Sequence, residues 1–391
     1  MDISAAPTIT AAVPGSFEWD VFHERHPKLI RQVLDSSPYT LAEEAKLQQL
    51  LDESTTGVLA TLPETAHDRQ EWLVWGEHLY GRPWGEVPFL WSESYFYRRL
   101  LGALGYFGTG TWRGIDPFAP AKNAELTGPE VDRELSAFAD LADASEDRRH
   151  EALLVAALWG NRADLSFQLQ LNTAGADAPS EGILVDDSAL LWSALTSRDN
   201  PVVCVVADNA GRELLADLVL ADSLLSRRLA AEIVLYVKPY PYYVSDATMA
   251  DVLSVIGRLR AESRPQLSRI GDRLWAAVRS GRLQVRTHKF FCAPLAFHDM
   301  PDDLAAEFAT ATMTVMKGDL NYRRLVGDRY WPATTPFDHT VDYFPSAVTA
   351  LRTLKSEVVV GLTTEQLAGL DESGQPWRTS GRHALIQVHE P

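Results

Sequence analysis

The chain has 391 residues, 46% of them apolar, which is enough for a large core in one or two domains. Its 36 Lys and Arg against 53 Asp and Glu give a formal charge of −17. That balance disfavours general attraction to nucleic acid or anionic membrane, and it makes any anion site depend on local positive charge. Two cysteines exclude a disulfide framework and predict a reducing compartment.

Residues 1–16, MDISAAPTITAAVPGS, lack the basic start and unbroken apolar run of a secretion signal, and they are expected to form a mobile arm. Over residues 17–180, apolar positions recur at spacings of three and four in LAEEAKLQQLLDES, EVDRELSAFADLAD and RRHEALLVAALWGNRADLSFQL. This predicts a helical region that packs on a sheet and roofs its active edge. ALLVAALWG is too short for a membrane span and reads as a core helix, so the protein is expected in the cytoplasm. Near Thr173–Ala176 the pattern changes. Over 181–391, short β-branched runs alternate with helices: ILVDDS, VVCVVA, EIVLYV, RLQVRTH, TMTVM, EVVVGL and HALIQV. The expectation is a Rossmann-like three-layer α/β/α domain with a mainly parallel sheet.

The run VVCVVA reads as a central strand and leads into Asp208 and Asn209, with Gly211 and Glu213 opening a helix. Ligands of open α/β sheets gather at that edge. Two hard oxygen donors there suit a divalent cation with a bound phosphate, and they equally suit an ordinary helix cap. EIVLYVKPYPYYVSD leads to Asp246, which is open to the same two readings. After TMTVM come Lys317, Gly318, Asp319, Leu320 and Asn321: the lysine can meet a phosphate as a point charge while the glycine lets backbone approach, or it can be a turn lysine. In LRTLKSEVVVGL, Arg352, Thr353 and Lys355 precede the β-branched run, so Lys355 reaches the same crevice only if a strand at 357–361 runs antiparallel. Glu93, Tyr97 and Arg98 in one aromatic helix, with Tyr322, Arg323 and Arg324, are either grips for a sugar or ion pairs and packing.

The set DNAG-x-E, VSD, KGDLN and RTLK, preceded in order by FLWSESYFYRRLL, DPFAPAK and WGNRADLS, resembles the metal-dependent damage-control phosphatases. More narrowly, it is similar to the subfamily with an RTxK motif, the acidic-residue methyltransferase-like group, over roughly Glu18 to Gln387. The resemblance implies hydrolysis of small phosphomonoesters, especially sugar phosphates, with Mn, Ni, Co or Mg. Carried over by motif, Asp208, Asn209 and Asp246 would hold the metal. Lys317 to Asn321 and Lys355 would hold the substrate, together with Asp208 and Asn209. Asp208, Asp246, Lys317 and Lys355 are the expected catalytic residues, while Arg352, Glu93 and Arg98, and also Asn161, Arg162 and Asp164 of WGNRADLS, are further candidates for the site. Glu213 falls where the family has been proposed to contact S-adenosylmethionine.

Attack by an aspartate and attack by metal-activated water both stay open. So do two other functions. A carboxyl methyltransferase is disfavoured, because no strand in the α/β half is followed by a glycine-rich cofactor loop. A binding protein for a phosphometabolite, without turnover, is compatible with every residue named. The expected partner is a small phosphorylated metabolite, with neither nucleic acid nor membrane; the sequence does not specify an oligomeric state.

Overall fold

The structure, a computed structural model, describes residues 6–141, 144–160 and 182–391. Among these residues the chain forms β1 (Ile183–Asp186), β2 (Val202–Val206), β3 (Glu232–Val237), β4 (Leu283–Thr287), β5 (Met313–Lys317), β6 (Val348–Thr353) and β7 (Ala384–His389). They make one sheet in the order β1-β7-β6-β5-β2-β3-β4. Strands β4, β3, β2, β5 and β6 run parallel, while β7 is antiparallel to β6 and carries β1 parallel to itself. The sheet is therefore mainly parallel, as the β-branched runs predict.

Side chains alternate between the two faces of a strand, and each face here has its own core. Cys204, Val206, Val234, Tyr236, Met316 and Ala350 pack on one side with the helices Phe89–Ala103 and Gly318–Val326. Val203, Ile233, Leu235, Val315, Leu351 and Ile386 pack on the other with Pro129–Asp140, Glu146–Trp159, Arg212–Ser226, Met249–Arg260 and Pro265–Ser280. The result is three layers. The predicted N-terminal helical region does not stay on one side: it joins the first core up to Phe118 and the second from Leu126 to Trp159. Helical periodicity identifies a buried stripe but not the surface that covers it.

Two expectations are corrected. The described part of the mobile arm is anchored: Ile9 is 2% exposed, Phe89 N–H donates to Ile9 O at 2.9 Å, and Tyr330 N–H donates to Pro7 O at 3.0 Å. The strand expected at 357–361 lies instead at Val348–Thr353, parallel to β5, so RTLK leaves the end of a strand rather than entering the start of one. Val358, Val359 and Val360 are buried, yet their backbone is served by side chains: Arg352 donates to Val358 O, Gln387 donates to Val360 O at 2.9 Å, and Val360 N–H donates to the Tyr322 hydroxyl at 3.2 Å. Three backbone groups of the segment are thus satisfied without a sheet neighbour.

From β2 the chain goes to β3 and β4 on one side, then returns to place β5 on the other. Such a reversal opens a crevice at the carboxyl ends of the two strands. Val206 aligns with Tyr236 and with Met316, so the chain leaves the sheet after β2, β3 and β5 at one level. The change of pattern near 173–176 and the candidates Asn161, Arg162 and Asp164 lie outside the described residues. No described helix is long and apolar enough to cross a membrane.

Candidate active site

At that reversal lies a crevice of about 390 Å³, lined by Asp208, Asn209, Asp246, Asp319, Leu320 and Lys355, with Glu93, Tyr97 and Arg25 among the residues of its wall. Two loops make its floor. Ala247 N–H donates to Asp208 O at 2.8 Å and Ala210 N–H donates to Ser245 O at 2.7 Å, which clamps the loop after β2 to the loop before helix 249–260 and sets Asn209 against Asp246. Asn209 Nδ2 donates to Asp208 Oδ2 (3.0 Å) and to Glu213 Oε2 (2.9 Å), while its Oδ1 accepts from Ser245 Oγ (2.5 Å). The amide is thus fixed by three side chains.

Asp208, Glu213 and Asp246 are 6%, 6% and 2% exposed. Burial pushes the Asp208 carboxyl well above the usual carboxylate range, and the charges of Glu213 and Asp246 push it further. Asp246 is also raised by burial, against the pull of Lys238 and Lys122. Lys238 Nζ stands 3.3 Å from Asp246 Oδ2, an oxygen that accepts no hydrogen bond. Lys122 Nζ donates to Asp246 O at 2.9 Å and pairs with Asp116 and Asp251 at 3.0 and 3.1 Å. Asp251 also closes the capping box of helix 249–260, so the helix start and the site share a carboxylate.

The other wall begins at Gly318, whose φ is +82°. A Cβ there would lie 1.8 Å from Asp208 Oδ2, so only glycine lets helix 318–326 start against that carboxylate. Asn321 Nδ2 donates to Ala207 O (3.1 Å) and Lys317 O (2.8 Å), tying the ends of β2 and β5 together. Asp319 Oδ1 accepts from Arg352 Nε at 2.9 Å and from Lys355 N–H at 3.1 Å. Burial opposes its ionisation, but Arg352 and Arg323 outweigh burial and hold the carboxyl below its ordinary value. Among the described residues the Lys355 ammonium has neither an ion pair nor a hydrogen bond, and its charge acts on Asp208.

Residues 21–370 match the family model of the damage-control phosphatase ARMT1-like domain. The chain belongs to this family. It is 30% identical to damage-control phosphatase ARMT1 of Danio rerio over 98% of this chain and 97% of the relative, and 31% identical to that of Homo sapiens over 79% and 76%. A solved DUF89 family protein from Pyrococcus horikoshii aligns with 94% of this chain and 97% of its own at 14% identity, with a TM-score of 0.49. Membership in the ARMT1-like family supports a phosphatase, and therefore a small phosphorylated substrate.

The ARMT1-like crevice gathers Asp208, Asn209, Asp246, Asp319, Leu320, Lys355, Glu93, Tyr97 and Arg323 from the residues singled out in the sequence. Others sit elsewhere. Lys317 is 1% exposed and turned into the protein, 3.1 Å from Asp217 and 3.7 Å from Glu213, with a further bond to Ala157 O. Glu213 bridges Asn209 and Lys317 behind the crevice wall. Arg352, 0% exposed, lies over the Tyr322 ring at 4.1 Å and positions Asp319. Arg98 makes a two-bond pair with Asp68 (2.6 Å each) and lies over the Phe107 ring, away from the crevice. It shares a helix with Glu93 but stands five residues on, about 140° around the axis. Glu93 itself meets Arg323 at 3.3 Å, and burial raises its carboxyl to about 7.

Lys122 and Lys238 escaped notice as site residues. Their signals were present: Lys238 follows β3 directly, and Lys122 closes DPFAPAK. Among the described residues no group of three His, Cys, Asp or Glu side chains forms a ready cage for a metal. The donors that could hold one are two carboxylates and an amide, with Asp246 Oδ2 free of hydrogen bonds and Asp208 crowded by like charge. A hard divalent cation fits that chemistry, since it takes oxygen ligands and offsets the repulsion.

Proposed function

We propose that this chain is a metal-dependent phosphomonoesterase acting on small sugar phosphates or related phosphometabolites. One observation carries the reading: the buried pair Asp208 and Asp246 shares a crevice with Lys355, an ammonium that has no partner of its own among the described residues. A divalent cation held by Asp208, Asn209 and Asp246 would polarise the phosphoryl group and offset its charge. Lys355 offers a point charge to a phosphate oxygen, and the Asp319–Arg352 pair fixes the backbone that carries it. Lys238 and Lys122 pull Asp246 toward its charged form against burial, and Lys122 holds its backbone carbonyl. Glu93 and Tyr97 line the same crevice, where they would face the part of the substrate that does not react. Glu213 is bound to Asn209 and set beside Lys317, so it is not offered to a methyl-donor cofactor, which favours hydrolysis over methyl transfer.

The direct test is phosphate release by metal-stripped protein, with Mn, Ni, Co or Mg restored, on hexose, pentose and heptose phosphates and a chromogenic phosphomonoester. Release that depends on added metal is expected. Tight binding of a sugar phosphate without release under any of the four metals would leave only the binding-protein reading.

The same site sets an expectation for stability. Mn added to metal-stripped protein should raise the Tm, by the equivalent of ~2.7 kcal/mol at a hundredfold excess over Kd. Burial and mutual repulsion favour protons on Asp208 and Asp246, so metal binding must displace them, and the gain should grow as pH rises. A Tm that ignores all four metals between mildly acidic and mildly basic pH would remove the proposed ligands.

A further inference from the structure

Four helices, Pro129–Asp140, Glu146–Trp159, Arg212–Ser226 and Pro265–Ser280, meet around a second cleft of about 380 Å³ that shares no residue with the first. Its floor is apolar, with Phe138, Leu141, Leu153 and Val219 all buried. Among the described residues its lining carries Arg227, Arg269 and Arg273, and an Arg149 already bonded to Leu141 O and Ala144 O, against one carboxylate, Asp222. That is a local excess of positive charge on a chain whose formal charge is −17.

The arginines differ in how far they are already used. Arg273 is committed to Asp222 through bonds of 2.8 and 2.5 Å. Among the described residues Arg227 meets only an exposed Glu146, at 3.6 Å, a contact of little strength in water. Arg269 has no ion pair among the described residues. Ser223, 6% exposed, lines the same cleft with its hydroxyl buried and without a hydrogen-bond partner.

We infer that this cleft binds an organic phosphate with an aromatic or apolar body. Guanidinium groups meet phosphate oxygens in a matched two-bond fork, which a lone ammonium cannot do. The apolar floor takes the body of the ligand, and the Ser223 hydroxyl supplies a bond that no described residue now satisfies. Helix 212–226 presents its negative end here, so the anion must rest on side chains and not on that helix's backbone. A volume of about 380 Å³ falls in the range of ~300–1,000 Å³ usual for small-molecule pockets. This is not an extension of the catalytic crevice: Glu213 and Ser223 are ten residues apart on one helix, about 15 Å along its axis.

The test uses the full chain, stripped of metal, with calorimetry of adenosine monophosphate and 1-naphthyl phosphate, and with adenosine and inorganic phosphate as half-ligands. Binding of at least one organic phosphate is expected, stronger than either half-ligand, and unchanged in Asp208→Asn. In the double variant Arg227→Gln, Arg269→Gln it should weaken about tenfold or more, the loss of one or two charge-assisted bonds. Both arginines are exposed, so Tm without ligand should hold and confirm that the variant is folded. Failure of both organic phosphates to bind, or binding that ignores the arginine substitutions, overturns the assignment.

Discussion

Asp208→Asn is expected to abolish phosphate release while raising the Tm of the metal-free protein. The loss follows from the proposed chemistry: an amide neither brings the negative charge a cation needs nor attacks phosphorus, and a fall of about a thousandfold corresponds to ~4 kcal/mol of transition-state stabilisation. The gain follows from electrostatics. Burial, then Glu213 and Asp246, raise the folded pKa of Asp208 above its unfolded value. Stability tied to such a group is fully present below the unfolded pKa and is lost as pH rises through the folded one. Near neutral pH the wild-type fold therefore bears the cost of a carboxyl that prefers its proton, whereas asparagine has no such cost and can still accept from Asn209 Nδ2. The difference in Tm should shrink on acidification and reverse once metal is added. Turnover within tenfold of wild type, or a lower Tm without metal at neutral pH, would show that Asp208 does not have this role.

Lys317→Met should be costly to the fold in a way the first substitution is not. Lys317 is 1% exposed, and it balances Asp217 and Glu213, both nearly as buried. Removing one partner of a buried pair leaves an uncompensated charge, at a cost of ~3–5 kcal/mol. Burial already lifts Asp217 to about 7 against the pull of Lys317, so without the lysine Asp217 will take a proton more readily. The deficit should accordingly narrow as pH falls, and Asp217→Leu in the same chain should restore part of it. Urea denaturation across pH reads both effects. If stability is unchanged but release of phosphate collapses, Lys317 swings into the crevice and serves the substrate directly.

The fold was legible wherever a strand was both β-branched and apolar: β2, β3 and β5 stand where VVCVVA, EIVLYV and TMTVM put them. β6 was not. All six of its residues are buried, yet VTALRT contains two threonines and an arginine, because the charge of Arg352 is met inside the protein by Asp319 and by backbone. Its apolar neighbour EVVVGL reads as the better strand, but it takes its hydrogen bonds from side chains. The loops that carry Asp208 and Asp246, and the helix start that carries Asp319, could be found from their strands. The partners of the site could not. Nothing local says that Lys122 reaches Asp246 across 124 residues, or that the Arg98 guanidinium ends on Asp68.

The strand order also governs when the enzyme can exist. β7 is the strand met last along the chain, but it lies inside the sheet, between β1 and β6. A ribosome would have delivered every residue of the crevice while β1 still had no partner and β6 had one open edge. Unpaired edges of that kind are templates for association with other chains. Completion of the sheet, and with it the seat of Arg352 and Lys355, therefore waits for residues 384–389. The newborn protein passes through a stage in which the site is fully synthesised and still unsupported.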